Sequence, residues 1–197
     1  MFENPINRLY NLFLVPNALM MMMSGFVLTT LIQREYQDHT MINVLTAPVA
    51  RTKFIMSKLL AWFIWHFTTL VVVIIIFAVW YQFIFSGYEI IGNVVDYLRL
   101  GLFSFISMIP LIWIAIMQRR VFFPTIFLSF VLAGATVIIS DGMLYNIIPW
   151  TAVPLVSFSY IIDALPVSRL IIGLISISAT GILGLVLACM TFAKQDQ

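Results

Sequence analysis

Five windows without a single formal charge, 13–32, 59–85, 100–117, 121–139 and 170–192, decide what this sequence can fold into. A bilayer core about 30 Å thick is crossed by about 20 helical residues rising 1.5 Å each. Each window is therefore of the length a spanning helix needs. A water-soluble domain carries about 25% charged residues, whereas this chain of 197 residues is 62% hydrophobic and 9% charged. That much apolar surface cannot be hidden inside one soluble domain of this size. The expected class is all-α: a polytopic helical membrane protein of about five transmembrane helices, forming one transmembrane domain over residues 1–197.

The charges lie between the windows, and unevenly. Segment 33–58 holds Arg34, Glu35, Asp38, His39, Arg51, Lys53 and Lys58, the turn after the third window holds Arg119 and Arg120, and Lys194 follows the fifth. Segments 86–97 and 140–166 contain neither Lys nor Arg. Basic residues accumulate on the cytoplasmic side. The expectation is a plasma-membrane protein with 33–58 cytoplasmic, the N-terminus outside and the C-terminus inside. Residues 1–12 and the run after them lack the pattern of a cleaved signal peptide. Segment 143–166 is apolar but interrupted by Pro149, Pro154, Asp163 and Pro166, with Trp150 and Tyr160 as interfacial aromatics. Proline breaks helices, so short broken helices at the outer surface or a re-entrant pair are expected there. A sixth span is disfavoured because it would place the C-terminus outside.

Catalytic chemistry finds little support. Within the windows His66 is the one candidate with an ionisable ring, and no second His, Asp, Glu or Cys accompanies it, so it reads as a packing residue beside Trp62 and Trp65. No serine lies in a Gly-x-Ser-x-Gly setting, and none of Lys53, Lys58 and Lys194 follows a glycine as a phosphate-cradling loop requires. No catalytic residue, metal site or cofactor is expected; ATP and Mg, if used, belong to another chain. Cys189 is the single cysteine and reads as inert packing. Glu89, Asp96, Asp141 and Asp163 fall in outer segments and are expected as solvated carboxylates. The net charge of +2 is scattered, which excludes a nucleic-acid stripe.

Segment 33–58 is the most informative. A short amphipathic helix is expected over 40–45, with Asp38 or Thr40 near its start and Met41, Val44 and Leu45 on its apolar face. A second helix is expected from Pro48, a residue favoured in a first turn, with Thr46 as a cap. Continued to Phe85 it would be about 57 Å long, longer than the membrane is thick, so its basic first turns must protrude or lie along the headgroups.

This segment resembles the loop between the first two of the usual six spans in type-2 ABC permeases. There an acidic residue, a threonine about five on, a Pro-x-x-Arg turn and a lysine opening the next span recur. Here those positions are Glu35, Thr40, Pro48, Arg51 and Lys58. Arg-Glu-Tyr-Gln with Pro-Val-Ala-Arg and Ser-Lys looks most like the permeases associated with bacitracin and lantibiotic resistance. The resemblance implies that this loop carries a coupling helix docking into an ABC ATPase subunit, with Arg34, Glu35, Asp38, Thr40, Met41, Leu45, Pro48, Arg51 and Lys58 as the contacts. It also implies a second permease copy or a related permease, membrane lipid around the complex, and an amphiphilic peptide antibiotic or lipid-like cargo moved outward. His39 stands where the family usually has Gly, and the family's first helix has no counterpart ahead of residue 13, so the expected fold is a type-2 permease lacking that helix.

The last window repeats Ser176, Thr180, Gly184 and Ala188 at every fourth position, a face on which another helix can pack closely. Two readings compete with the transporter. A channel would need polar residues along one face of several spans, and these spans offer mostly Ser and Thr; a scaffold subunit would use the basic loop only as a topological anchor. A membrane enzyme comes third, for want of a catalytic cluster.

Overall fold

The computed structural model describes residues 5–38, 51–84, 90–118, 121–139, 144–158 and 166–194. Helices fill almost all of them: α1 (Pro5–Gln37), α2 (Arg51–Ile84), α3 (Ile90–Met108), α4 (Pro110–Met117), α5 (Phe123–Ile138), α6 (Leu144–Ile147), α7 (Pro149–Ser157) and α8 (Val167–Ala193). Among the described residues four stretches are long and apolar enough to cross a bilayer, namely Leu14–Gln37, Thr52–Ile76, Val94–Met117 and Val167–Ala193, and Phe123–Ile138 is a shorter apolar helix. The expected all-α class stands, with four to five spanning candidates.

Which side chains face outward identifies the solvent. Leu60, Ile64, Val72 and Ile76 of α2, and Ile171, Ile175, Ile182 and Leu183 of α8, are exposed, whereas Asn17, Ser24, Thr29, Gln33, His66, Ser104 and Thr136 are buried. A soluble bundle would dissolve its core residues last; here the outer surface is the apolar one. Only a hydrocarbon surround makes that arrangement stable, because it gives exposed Leu and Ile an apolar solvent and makes polar groups seek partners inside.

Proline sets the breaks. Pro110 has no amide hydrogen to continue the ladder of α3, so the hydrogen bonding is interrupted at Ile109, whose backbone stays helical, and resumes as α4 with proline in its first turn. Pro149 opens α7 after Ile148, which is extended. Two glycines allow close approaches. A methyl group on Gly184 of α8 would lie 2.7 Å from the backbone N and Cα of Pro110, so α8 rests directly on the α3–α4 break. On Gly25 of α1 it would run into the Ser129 hydroxyl of α5 and lie 3.2 Å from Thr125 O.

The larger core cluster unites Met21 and Leu28 of α1, Trp62 of α2, Phe105 of α3, Leu111 of α4 and Phe192 of α8. A second gathers Tyr97, Leu100, Val153, Phe158 and Ile177, where α7 lies against α3 and α8. Asp96 corrects an expectation: it is not a solvated carboxylate but 2% exposed, with Arg99 Nη1 at 3.8 Å. The reason is that α3 begins at Ile90, ten residues before the apolar window, so its first turns already pack inside the bundle. Glu89, Asp141, Asp163, Tyr160 and His39 lie outside the described residues.

Candidate functional site

Both helix ends that flank residues 39–50 are described, and an ion pair holds them side by side. Lys58 Nζ, in the second turn of α2, donates to Glu35 Oε1 in the last turn of α1 at 2.5 Å, with side chains only 17% and 27% exposed. Partial burial removes the water that weakens surface pairs. The same ammonium sits 5.2 Å from the centroid of the Phe54 ring, one helical turn earlier. Phe54 in turn stacks on Phe192 of α8, centroids 5.1 Å apart. Three helices, α1, α2 and α8, are thus joined through Glu35, Lys58, Phe54 and Phe192.

A second connection leaves the opposite side of α1. Gln33 Nε2 donates to Ala115 O at 3.1 Å and Gln118 O at 3.2 Å, the carbonyls that end α4. Gln118 Oε1 then accepts from the Thr125 amide at 3.2 Å and its hydroxyl at 2.8 Å, in the first turn of α5. Trp113 Nε1 of α4 donates to Thr191 Oγ1 of α8 at 3.0 Å. Helices α1, α2, α4, α5 and α8 therefore meet through polar or aromatic contacts at the end of the bundle that carries segment 33–58.

The other residues singled out in that segment sit as follows. Arg34 and Asp38 are exposed and 3.4 Å apart, an i,i+4 pair that adds a few tenths of a kcal/mol at most. Arg51 opens α2. Thr40, Met41, Val44, Leu45, Thr46 and Pro48 lie outside the described residues. Of the small-residue stripe, Gly184 and Ala188 are buried, Thr180 is half-buried, and Ser176 Oγ donates to Ile147 O at 2.5 Å, tying α8 to α6. The face of α8 that packs runs through Gly173, Ile177, Gly181, Gly184, Ala188 and Phe192. Gln33, Phe54, Gln118, Thr125 and Phe192 escaped the sequence reading. For Gln33 and Gln118 a signal existed: each is an amide directly closing an apolar window.

Deeper in the bundle several hydroxyls turn back on their own helices. Ser24, Ser107, Ser129, Thr136 and Ser157 each donate to a carbonyl three or four residues earlier in their own helix, which spends the hydroxyl proton locally. Asn17 joins α1 to α3 by accepting from the Ser104 hydroxyl. His66 packs as expected: one ring nitrogen, Nε2, lies 3.0 Å from Gly101 O and the ring meets Trp62 edge-on. Among the described residues no three His, Cys, Asp or Glu side chains gather to hold a metal ion.

Comparison with known proteins decides the family. The family model described as "ABC-2 family transporter protein" matches residues 3–136, well over half of the chain. The chain belongs to the ABC-2 transporter family. The bacitracin transport permease protein BCRB of Bacillus licheniformis is 27% identical over 176 residues, covering 87% of this chain and 83% of that protein. No solved structure matches at a significant level. As an ABC-2 protein the chain is a multi-pass membrane permease subunit, a non-catalytic component whose family implies an ABC ATPase as partner. The ABC-2 match contains both α1 and α2, and with them the Glu35–Lys58 contact.

Proposed function

We propose that this permease is the membrane half of an ABC exporter that expels amphiphilic peptide antibiotics or lipid-like compounds. Two permease chains, identical or related, would work with ATPase subunits that hold the ATP and Mg. Segment 33–58 faces the cytoplasm and docks into the ATPase, and both Lys53 and Lys194 lie on that side. The observation that carries the reading is the Glu35–Lys58 pair with its continuation through Phe54 to Phe192. It makes the base of the segment a stiff joint, and a stiff joint converts closure of the ATPases into rigid-body movement of the spans. The cargo class has two supports. The relative is named for bacitracin transport, and most interior hydroxyls bond back to their own helices, which leaves little polar lining for a hydrated ion and suits an amphiphile. For the same reason the channel reading is not favoured.

The test is recovery of the tagged chain from its native membrane in mild detergent, followed by mass spectrometry. An ABC ATPase should accompany it in stoichiometric amount and be lost, or hydrolyse ATP without transport, in the Glu35→Ala, Arg51→Ala double variant. A folded preparation free of ATPase, or a double variant that keeps full drug resistance at equal expression, would sink the proposal.

A further inference from the structure

We infer that Gln33 is a positioning residue for coupling: its carboxamide ties the α4–α5 turn to the segment that meets the ATPase, so that both move together. The inference rests on the reading above and names a second transmission arm beside Glu35–Lys58.

The argument begins with helix geometry. At 3.6 residues per turn, residues two apart point about 200° away from each other, so the last turn of α1 can grip two neighbours at once. Glu35 takes Lys58 of α2. Gln33, on the other side, spends both hydrogens of its amide group on the carbonyls of Ala115 and Gln118. Only the nitrogen of the carboxamide can do this, so its orientation is fixed. Gln118 passes the connection on by accepting two hydrogen bonds from Thr125. The relay Gln33–Gln118–Thr125 therefore spans α1, α4 and α5 and straddles the turn between α4 and α5. Any rotation or displacement of the last turn of α1 is imposed on that turn as well as on α2.

The Gln33 carboxamide is partnered on its nitrogen side only. Gln33 is fully buried, and its Oε1 accepts no hydrogen bond. An unpaired buried acceptor disfavours the folded state. Leucine would remove that orphan but also take the Gln33 donor from Ala115 O and Gln118 O, so what the substitution tests is the tie from α1 to the end of α4.

The test uses the complex of full-length permease and ATPase in proteoliposomes, with Gln33→Leu, Gln118→Ala and the double variant. Expected is undiminished ATPase stoichiometry and an unchanged KM for ATP, with the kcat of permease-stimulated hydrolysis falling at least about five-fold, the low end of measured couplings between sites. The double variant should lose no more than Gln33→Leu alone, since both cut one relay. A merely structural role would lower folded yield and leave kcat per folded complex intact. Unchanged kcat in Gln33→Leu with bound ATPase overturns the inference and leaves the exporter reading standing, as does full additivity of the two variants. Absence of ATPase from the wild-type preparation overturns the exporter reading itself. Should Gln33→Leu fail to accumulate, Gln118→Ala, at a half-buried position, decides by the same kcat criterion.

Discussion

Lys58 lies where a long apolar helix emerges from the bundle, and its ammonium has two partners within the same few ångströms, the Glu35 carboxylate and the Phe54 ring. Removing the cation alone leaves a largely buried carboxylate, which is worse than having no pair at all. Lys58→Met is therefore expected to cost about 1–3 kcal/mol of stability, the range for taking the ion-pair partner from a partly buried charged group. Glu35→Gln in the Lys58→Met background should recover most of it. The check is a double-mutant cycle on denaturation in detergent micelles, where simple additivity of the two substitutions would refute a direct coupling. The residue types of this pair were legible in the sequence, because an acid closing one apolar window and a lysine opening the next stand out. Their pairing was not, since nothing in a linear charge pattern says that Lys58 turns inward while Lys53 stays exposed. Asp96 failed for a related reason. Its neighbours Asn93 and Tyr97 look like an outer loop, and only a helix beginning at Ile90 carries the carboxylate into the bundle.

Helices, as units, follow from periodicity, but their faces follow from small departures from it. A ladder of every fourth residue drifts by about 40° per step around a helix of 3.6 residues per turn, so Ser176 and Ala188 cannot share one contact line. The packed face corrects the drift with a three-residue step from Gly181 to Gly184, and it includes Gly173 and Ile177, which a fourth-position count from Ser176 passes over. Gly184 matters most because it opposes backbone. A flexible side chain could swing away from an added methyl, whereas the Pro110 ring and the α3–α4 break are held by their own covalent geometry. Gly184→Val should force α8 away from α4 and destabilise by about 1–3 kcal/mol, as overpacking of a close contact does. A lowered unfolding midpoint with loss of the Trp113–Thr191 contact is the expected signature; the tryptophan emission of a variant retaining only Trp113 reports it. An unchanged midpoint would mean that α8 does not rest on Pro110. The break itself was hidden in the sequence because Pro110 falls inside an otherwise continuous apolar window, and proline within a span is tolerated where neighbouring helices cover it.

At the scale of the whole molecule, the apolar exterior and the meeting of α1, α2, α4, α5 and α8 at one end leave a single geometric freedom, which end faces the cytoplasm. The contacts put Lys53, near the start of α2, and Lys194, after α8, at the same end, since Phe54 stacks on Phe192 only one and two residues away from them. Lys53 and Lys194 are exposed, and Arg34 is exposed beside them. Basic residues clustered at one end of an apolar bundle favour the cytoplasmic side during insertion, the orientation that the proposed docking of an ATPase requires. In a Cys189→Ala background, single cysteines at Lys53 and at Lys194 should therefore react with a membrane-impermeant maleimide in inside-out vesicles and stay unlabelled in right-side-out ones. The two sites test different things. If both label from the outside, the bundle is as described but inverted, and no cytoplasmic ATPase can dock on segment 33–58. If they label from opposite sides, the number of crossings between them is odd, which the Phe54–Phe192 contact forbids, and the fold rather than the orientation is at fault.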